Sequence, residues 1–164
     1  MNWFQTTPAG EWFYTALMSM APIVELRGGI PLGVGLGLPI WQAYIAAVIG
    51  NMIPVPFIII FIRRIFNWMR SHSARLGSLV DRLERKAHLK GQIVTKYKYL
   101  GLMVLVAIPL PGTGAWTGAL AAAFLDMRLR KALPTIFLGV LIAGLAVSAL
   151  TYGVTSFWSS PTGL

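Results

Sequence analysis

The chain alternates between long apolar stretches and short segments that hold nearly all of its charges. Four stretches of 13 residues or more contain no Asp, Glu, Lys or Arg: 12–24, 28–62, 99–125 and 132–164. A helix needs about 20 apolar residues to cross the hydrocarbon core of a bilayer. The pattern therefore predicts an all-α integral membrane protein, with transmembrane helices at 39–62 and 132–157.

Composition supports this class and excludes several others. Charged residues make up 12% of the chain and its mean hydropathy is +0.69, whereas about 25% of a soluble domain is charged. Cysteine is absent and the two histidines, His72 and His88, lie far apart, so we expect no metal and no cofactor. Without a nucleophile set or a phosphate-binding glycine–lysine motif, we expect no enzyme activity. We also expect no nucleic-acid partner, because no soluble domain would present the basic residues.

Thirteen of the fourteen basic residues lie in two segments, 63–98 and 126–131. Basic loops stay on the cytoplasmic side of a membrane, so the apolar stretch 99–125 should enter and leave from that side. Its 27 residues are too few for two crossings. Prolines and glycines in 108–114 should break any helix there. We therefore predict a re-entrant hairpin at 99–125; an ordinary span followed by a basic turn outside the cell is the alternative.

A second hairpin is predicted at 12–38. The stretch 12–24 is too short to span, and it is followed by charges, glycines and prolines. The absence of Lys and Arg from 1–10 places the N-terminus outside, so that both termini are outside and 63–98 is cytoplasmic. The predicted turn residues are Pro22, Gly28, Gly29, Pro31 and Gly33 in the first hairpin, and Pro109, Pro111, Gly112, Gly114 and Gly118 in the second.

The two halves partly match when the sequence is shifted by 89 positions. The matched pairs are Pro22 with Pro111, Gly29 with Gly118, Ala43 with Ala132, and Gly50 with Gly139. The charge pattern gives the halves opposite orientations in the membrane. The predicted fold is a single membrane domain over 1–164, built of two inverted repeats. Each repeat is a re-entrant helical hairpin plus a transmembrane helix, and a basic amphipathic cytoplasmic helix in 63–98 joins them. Paired broken segments of opposite orientation indicate a transporter.

Glu25 and Arg27 are the only ionisable residues expected at membrane depth, where such residues are functional candidates. A carboxyl group shielded from water binds a proton more readily, so Glu25 is a candidate for proton coupling. Arg27 carries a planar guanidinium suited to phosphate or carboxylate. A purely structural ion pair is the alternative. The remaining candidate substrate contacts are Asn51, Thr113, Trp116 and Thr117.

The two hairpin motifs, APIVELRGGIPLG at 21–33 and PLPGTGAWTGAL at 109–120, resemble the small multidrug export protein family. That family is similar to the DedA/VTT superfamily, whose paired re-entrant hairpins are linked to lipid scrambling and to flipping of undecaprenyl phosphate. By this resemblance Glu25 matches the acidic residue of the superfamily's first hairpin. The second hairpin departs from the pattern, because 106–117 lacks the arginines that DedA proteins carry around the proline.

Together these features predict a transporter in the inner (plasma) membrane. The leading hypothesis is movement of an amphipathic anion, such as an undecaprenyl phosphate-like lipid phosphate, with Glu25 as the proton-coupling site and Arg27 as the anion contact. One alternative is a proton-coupled small-molecule or multidrug exporter, and another is a non-transporting membrane-organising or assembly protein. The expected partners are membrane lipids, an anionic lipid or small amphipathic substrate, and a second copy of the chain, because two spans and two hairpins barely enclose a cavity.

Overall fold

A computed structural model describes residues 7–72, 77–78, 81–82, 85, 97–110 and 113–159, the last five without their side chains. The described residues are all-helical, as predicted. The helices are α1 (Pro8–Ser19), α2 (Glu25–Leu36), α3 (Ile40–Met52), α4 (Pro54–His72), α5 (Lys98–Ala107), α6 (Ala115–Phe124) and α7 (Leu129–Ser159). Two apolar helical stretches, Ile40–His72 and Leu129–Val154, are long enough to cross a membrane.

The first helix begins at Pro8, four residues before the predicted start of the hairpin. Thr7 caps it, since the Thr7 hydroxyl oxygen accepts a hydrogen bond from the Gly10 backbone N–H at 3.2 Å. Pro8 then occupies the first helical position, where a missing N–H costs nothing. The capping threonine and the proline extend the helix beyond the apolar stretch from which its start was predicted.

The predicted transmembrane helix 39–62 is interrupted at Ile53, between α3 and α4. Pro54 and Pro56 follow this point, and proline can neither donate a backbone hydrogen bond nor fit under the preceding turn. Beyond the interruption, α4 continues to His72 and carries the first part of the predicted linker. The rest of the predicted linker helix, including most of 73–96, lies outside the described residues.

Both hairpins consist of short helices. Those of the first hairpin, α1 and α2, have 12 residues each, and those of the second, α5 and α6, have 10. At about 1.5 Å per residue they are roughly 15–18 Å long, against a hydrocarbon core of about 30 Å. No single one of these helices is long enough to cross a bilayer.

The described residues form two compact units, one within Met1–Ile53 and Val140–Leu164 and the other within Pro54–Gly139. In the first unit, α1, α2 and α3 pack closely because glycines face small residues. A Cβ on Gly33 would lie 2.9 Å from that of Ala43, and one on Gly50 would lie 2.0 Å from the carbonyl oxygen of Ala16. The Tyr44 hydroxyl donates to the Leu141 carbonyl at 3.1 Å, which fixes α7 against α3.

The turn of the first hairpin lies at residues 20–24 and contains Pro22. This corrects the assignment of four other predicted turn residues, which all lie inside α2: Gly28, Gly29, Pro31 and Gly33. Pro31 is tolerated within the helix, and Gly29 and Gly33 lie where a Cβ would collide with Ser19 and Thr15 of α1. These two glycines therefore serve close helix packing.

In the second unit, α5 and α6 form a hairpin, and α6 packs against α4. Helix α5 ends at Ala107, and Ile108 is extended because Pro109 follows it. Gly114 caps α6 with φ of 142°, whereas Gly118 lies inside α6 rather than in the turn. A Cβ on Gly118 would lie 2.4 Å from the Val106 side chain. Pro111 and Gly112 lie outside the described residues.

The local backbone geometry recurs at a spacing of 89. Four of the described residues have φ in the left-handed region: Glu25, Gly37, Gly114 and Asp126. Glu25 and Gly114 are 89 positions apart, and so are Gly37 and Asp126. The glycines paired by sequence recur in the same way, since Gly29 contacts Ala47 and Gly118 contacts Ile136, again a shift of 89 at both ends.

Candidate functional site

A buried ion pair lies at the start of α2. Arg27 Nη2 is 3.2 Å from Glu25 Oε2, and the side chains of Arg27 and Glu25 are 25% and 5% exposed. Residues two apart do not face each other on a regular helix. Glu25 has φ of 47°, which departs from helical geometry and lets its carboxylate meet the guanidinium. A left-handed conformation of a non-glycine residue costs about 1–3 kcal/mol, and such strain is concentrated at functional sites.

Asn51 lies at the level of Glu25 along the α2–α3 pair. Gly33 contacts Ala43 and Gly29 contacts Ala47. The two helices are therefore antiparallel, and a step of four residues towards the end of α3 corresponds to a step of four residues towards the start of α2. The next step of this antiparallel register pairs Glu25 with Asn51. Asn51 is fully buried, and neither polar atom of its side-chain amide has a hydrogen-bond partner among the described residues.

By this register the ion pair and the Asn51 amide lie at one level of an otherwise apolar helix packing. A buried amide without partners costs about 1–3 kcal/mol, and the ion pair adds the desolvation of two charges. The guanidinium of Arg27 is the more exposed partner, so the pair can open towards an external anion while Glu25 stays enclosed. The arrangement suits exchange of a proton or an anion.

The second hairpin supplies the other three predicted contacts, which belong to the second unit. The Thr113 hydroxyl binds within the turn: it accepts from the Leu110 N–H at 3.2 Å and lies 2.6 Å from the Ile108 carbonyl oxygen, to which it can donate. Thr113 therefore stabilises this turn through hydrogen bonds with Leu110 and Ile108. Thr117 lies half-buried in the first turn of α6, next to Trp116.

We expect Thr113→Val to destabilise the protein by about 1–2 kcal/mol, because valine keeps the shape of threonine but loses both hydrogen bonds of the turn. Thermal unfolding of the purified protein in detergent measures the change. Thr135→Val is the matched control, since the Thr135 hydroxyl only contacts the Lys131 carbonyl four residues earlier in α7. Equal melting temperatures for the two variants would contradict the structural role of Thr113.

Trp116 lines an apolar groove in the second unit with a volume of about 520 Å³. The other lining residues are Pro54, Phe57, Ile58, Ile60, Phe61 and Arg64. Arg64 is the one charged residue among them, and no described carboxylate lines the groove. Phe57 and Phe61 are 69% and 64% exposed, so the groove opens at the protein surface. It offers an apolar surface with a cation at one end.

A second feature of this unit was not predicted from the sequence. Arg63 Nη2 donates to the Met127 carbonyl and lies 3.3 Å from Asp126 Oδ1, while Phe66 packs against Phe124 with ring centroids 5.3 Å apart. The two basic segments thus meet where α4 passes the α6–α7 turn. A signal was present, because Asp126 is the one acidic residue of the segment 126–131.

The described residues contain no group of three or more His, Asp or Glu side chains placed to hold a metal ion. The polar and apolar features of the described residues that could bind a ligand are their ion pairs, the amide of Asn51 and the apolar groove.

Comparison with known proteins identifies one family. No curated protein and no solved structure shows significant similarity to the chain. A family model described as "Putative small multi-drug export protein" matches residues 25–146, which include Glu25, Arg27, Asn51 and the second hairpin. With its two apolar helical stretches, the protein is a membrane protein, and the family name describes a transporter. The chain belongs to the small multi-drug export protein family.

Proposed function

We propose that the protein transports an amphipathic anion, such as a lipid phosphate of the undecaprenyl phosphate type, across the inner membrane without enzymatic chemistry. The observation that carries this proposal is the groove lined by Trp116, which combines an apolar wall with the guanidinium of Arg64. An acyl or prenyl chain fits the aromatic and aliphatic wall, and a phosphate fits the arginine. A cationic drug would meet the like charge of Arg64 there and no carboxylate among the described lining residues.

The Glu25–Arg27 pair is the proposed coupling site. Arg27 offers the anion contact, and Glu25 takes the proton when the pair opens. The unpartnered amide of Asn51 at the same level provides a hydrogen-bond donor and an acceptor to whatever enters. Helix packing through glycines leaves this site enclosed, so that binding and release require the helices of the first unit to separate.

The proposed topology is two inverted repeats with both termini outside and 63–98 cytoplasmic. The helix starts support a repeat, because α1, α2 and α3 begin 89 or 90 positions before α5, α6 and α7. The ion pair between Arg63 and Asp126 supports a common side for the two basic segments, as a re-entrant second hairpin requires. The exposed apolar residues Phe13, Leu145 and Leu150 provide surface for lipids and for the proposed second copy of the chain.

Multidrug export is the second candidate function, favoured by the family description. In that case Glu25 binds the cation directly, and the ion pair between Glu25 and Arg27 must open first. A membrane-organising protein without transport is the third, with Glu25 and Arg27 as a structural pair.

The test is translocation of a fluorescent short-chain polyprenyl phosphate in proteoliposomes that contain the purified protein. We expect transport that falls at least about tenfold in Arg64→Gln, because a hydrogen bond to a charged group contributes about 1.5–3 kcal/mol. We expect a similar fall in Trp116→Ala, which removes an aromatic wall. The matched control is Phe137→Ala, which truncates an exposed aromatic residue outside the groove.

Three outcomes separate the candidates. Movement of the polyprenyl phosphate but not of the uncharged polyprenol supports the proposal. Movement of ethidium instead, dependent on Glu25, selects multidrug export. Failure to move either compound, with the melting temperature of the protein intact, selects the organising role.

A further inference from the structure

A polar cavity of about 370 Å³ lies in the second unit beside the C-terminal half of α4. Its lining residues are Arg63, Phe66, Asn67, Arg70, Ala123 and Asp126. The three polar residues of α4 are spaced four and three positions apart, so they share one helix face. This face begins where the apolar stretch 28–62 ends, and the end of an apolar span is where a membrane protein meets lipid headgroups.

The guanidinium of Arg63 is fixed through Nη2, whereas its Nε has no hydrogen-bond partner among the described residues. Its Nη2 donates to the Met127 carbonyl and pairs with Asp126. Its Nε is buried and has no acceptor among the described residues. An unsatisfied buried donor is costly, the more so on a charged group. A ligand that engages both Nε and Nη2 removes this cost, and oxyanions do so through the bidentate geometry that guanidinium favours.

Asp126 provides a carboxylate to Arg63 but does not form a bidentate pair with its guanidinium. It contacts the guanidinium at one nitrogen, and its side chain is 75% exposed, so it can turn into water without cost in packing. The pair is therefore weak, as exposed ion pairs generally are. An anion that arrives from the membrane surface competes with a carboxylate that is easily displaced.

We propose that this cavity binds the phosphate monoester group of an anionic lipid headgroup. Arg63 and Arg70 supply guanidinium groups from two turns of one helix face, and Asn67 lies between them with an amide donor. Arg70 pairs with Asp81 at 3.3 Å with both side chains largely exposed, so it can approach a ligand from the water side. A phosphate monoester has three terminal oxygens and up to two charges, which match several donors on one face better than a carboxylate does. The site is separate from the apolar groove and does not depend on transport.

The experiment measures binding of dioctanoyl phosphatidic acid to the full-length protein in detergent by isothermal titration calorimetry. We expect Arg63→Gln to weaken binding about tenfold, since a charge-assisted hydrogen bond is lost. We expect Asp126→Asn to strengthen binding about threefold, because the competing carboxylate is gone. Asparagine also tolerates the left-handed φ of 45° at this position. Arg130→Gln removes an equal charge from the exposed surface and should change affinity less than twofold.

Arg63→Gln is expected to weaken binding and Asp126→Asn to strengthen it, so either variant tests the site if the other is unstable. Equal weakening by Arg63→Gln and Arg130→Gln, or no gain in Asp126→Asn, overturns the site. Dioctanoyl phosphatidylcholine, whose phosphate is a diester, should bind at least about tenfold more weakly than the monoester; equal binding overturns the assignment to a phosphate monoester. If inorganic phosphate binds as tightly as the lipid, the assignment of the ligand to a lipid headgroup is overturned.

Discussion

Gly50→Ala is expected to destabilise the protein by about 3 kcal/mol, among the largest effects of any single methyl group in this chain. The added Cβ would lie 2.0 Å from the carbonyl oxygen of Ala16 and within 3 Å of two more backbone atoms. Backbone cannot rotate away as a side chain can, so α1 and α3 must move apart and lose their packing. Unfolding of the purified protein by heat in detergent measures the effect.

Gly35→Ala is the matched control, because Gly35 lies in α2 with nothing within 4 Å of the added Cβ. There alanine should be neutral or should stabilise by up to about 1 kcal/mol through helix propensity. A Gly50→Ala protein as stable as Gly35→Ala would show that α1 and α3 do not approach as closely as described.

The same substitution tests the repeat in the second unit. A Cβ on Gly139, the residue matched to Gly50 by the shift of 89, would lie 2.7 Å from Val106 Cβ and 2.8 Å from the Met103 carbonyl oxygen. We expect Gly139→Ala to cost about 2 kcal/mol, somewhat less than Gly50→Ala because a side chain takes part in the contact. Gly50 and Gly139, which the sequence match pairs, therefore both lie where a side chain would collide with a neighbouring helix.

The sequence predicted the helical membrane class because long apolar stretches and their charged boundaries follow directly from the requirements of membrane insertion. It placed the turn of the first hairpin only in part, since Pro22 lies in the turn and the four other predicted turn residues lie in α2. Glycines signal either a turn or a close helix contact, and Gly29 and Gly33 serve the second purpose. Nor did it predict the division into α3 and α4 at Ile53, because 39–62 contains no charged residue and hydropathy does not register the effect of Pro54 on the helix.

The candidate site was predicted in part. Glu25 and Arg27 are neighbouring charges in an apolar region, so the sequence identified both as candidates, whereas their contact depends on the left-handed φ of Glu25. The contact between Arg63 and Asp126 joins residues 63 positions apart, and no local pattern specifies such a contact. The groove around Trp116 likewise depends on how α6 lies against α4, which is a tertiary property. Local patterns therefore found the pair, and only the packing of the second unit revealed the groove and the polar cavity.

Arg27→Met is expected to destabilise the protein by about 3 kcal/mol at pH 7, because it removes the Arg27 guanidinium that pairs with the buried Glu25 carboxylate. The loss is bounded, since the carboxylate can bind a proton instead. The destabilisation should therefore be smaller at pH 5 than at pH 7, which unfolding curves at the two pH values measure.

The double variant Glu25→Met with Arg27→Met separates structure from function. It removes both charges from the buried site, and replacing both members of a buried ion pair by apolar residues of similar volume is often neutral for stability. We expect its melting temperature to return close to that of the natural protein, and its transport of the polyprenyl phosphate to remain at background. Full transport by a stable double variant would show that the pair only joins helices, while a double variant less stable than Arg27→Met would contradict the ion pair itself. Glu25 holds a strained φ of 47°, and because such strain is concentrated at functional sites, it favours the functional outcome.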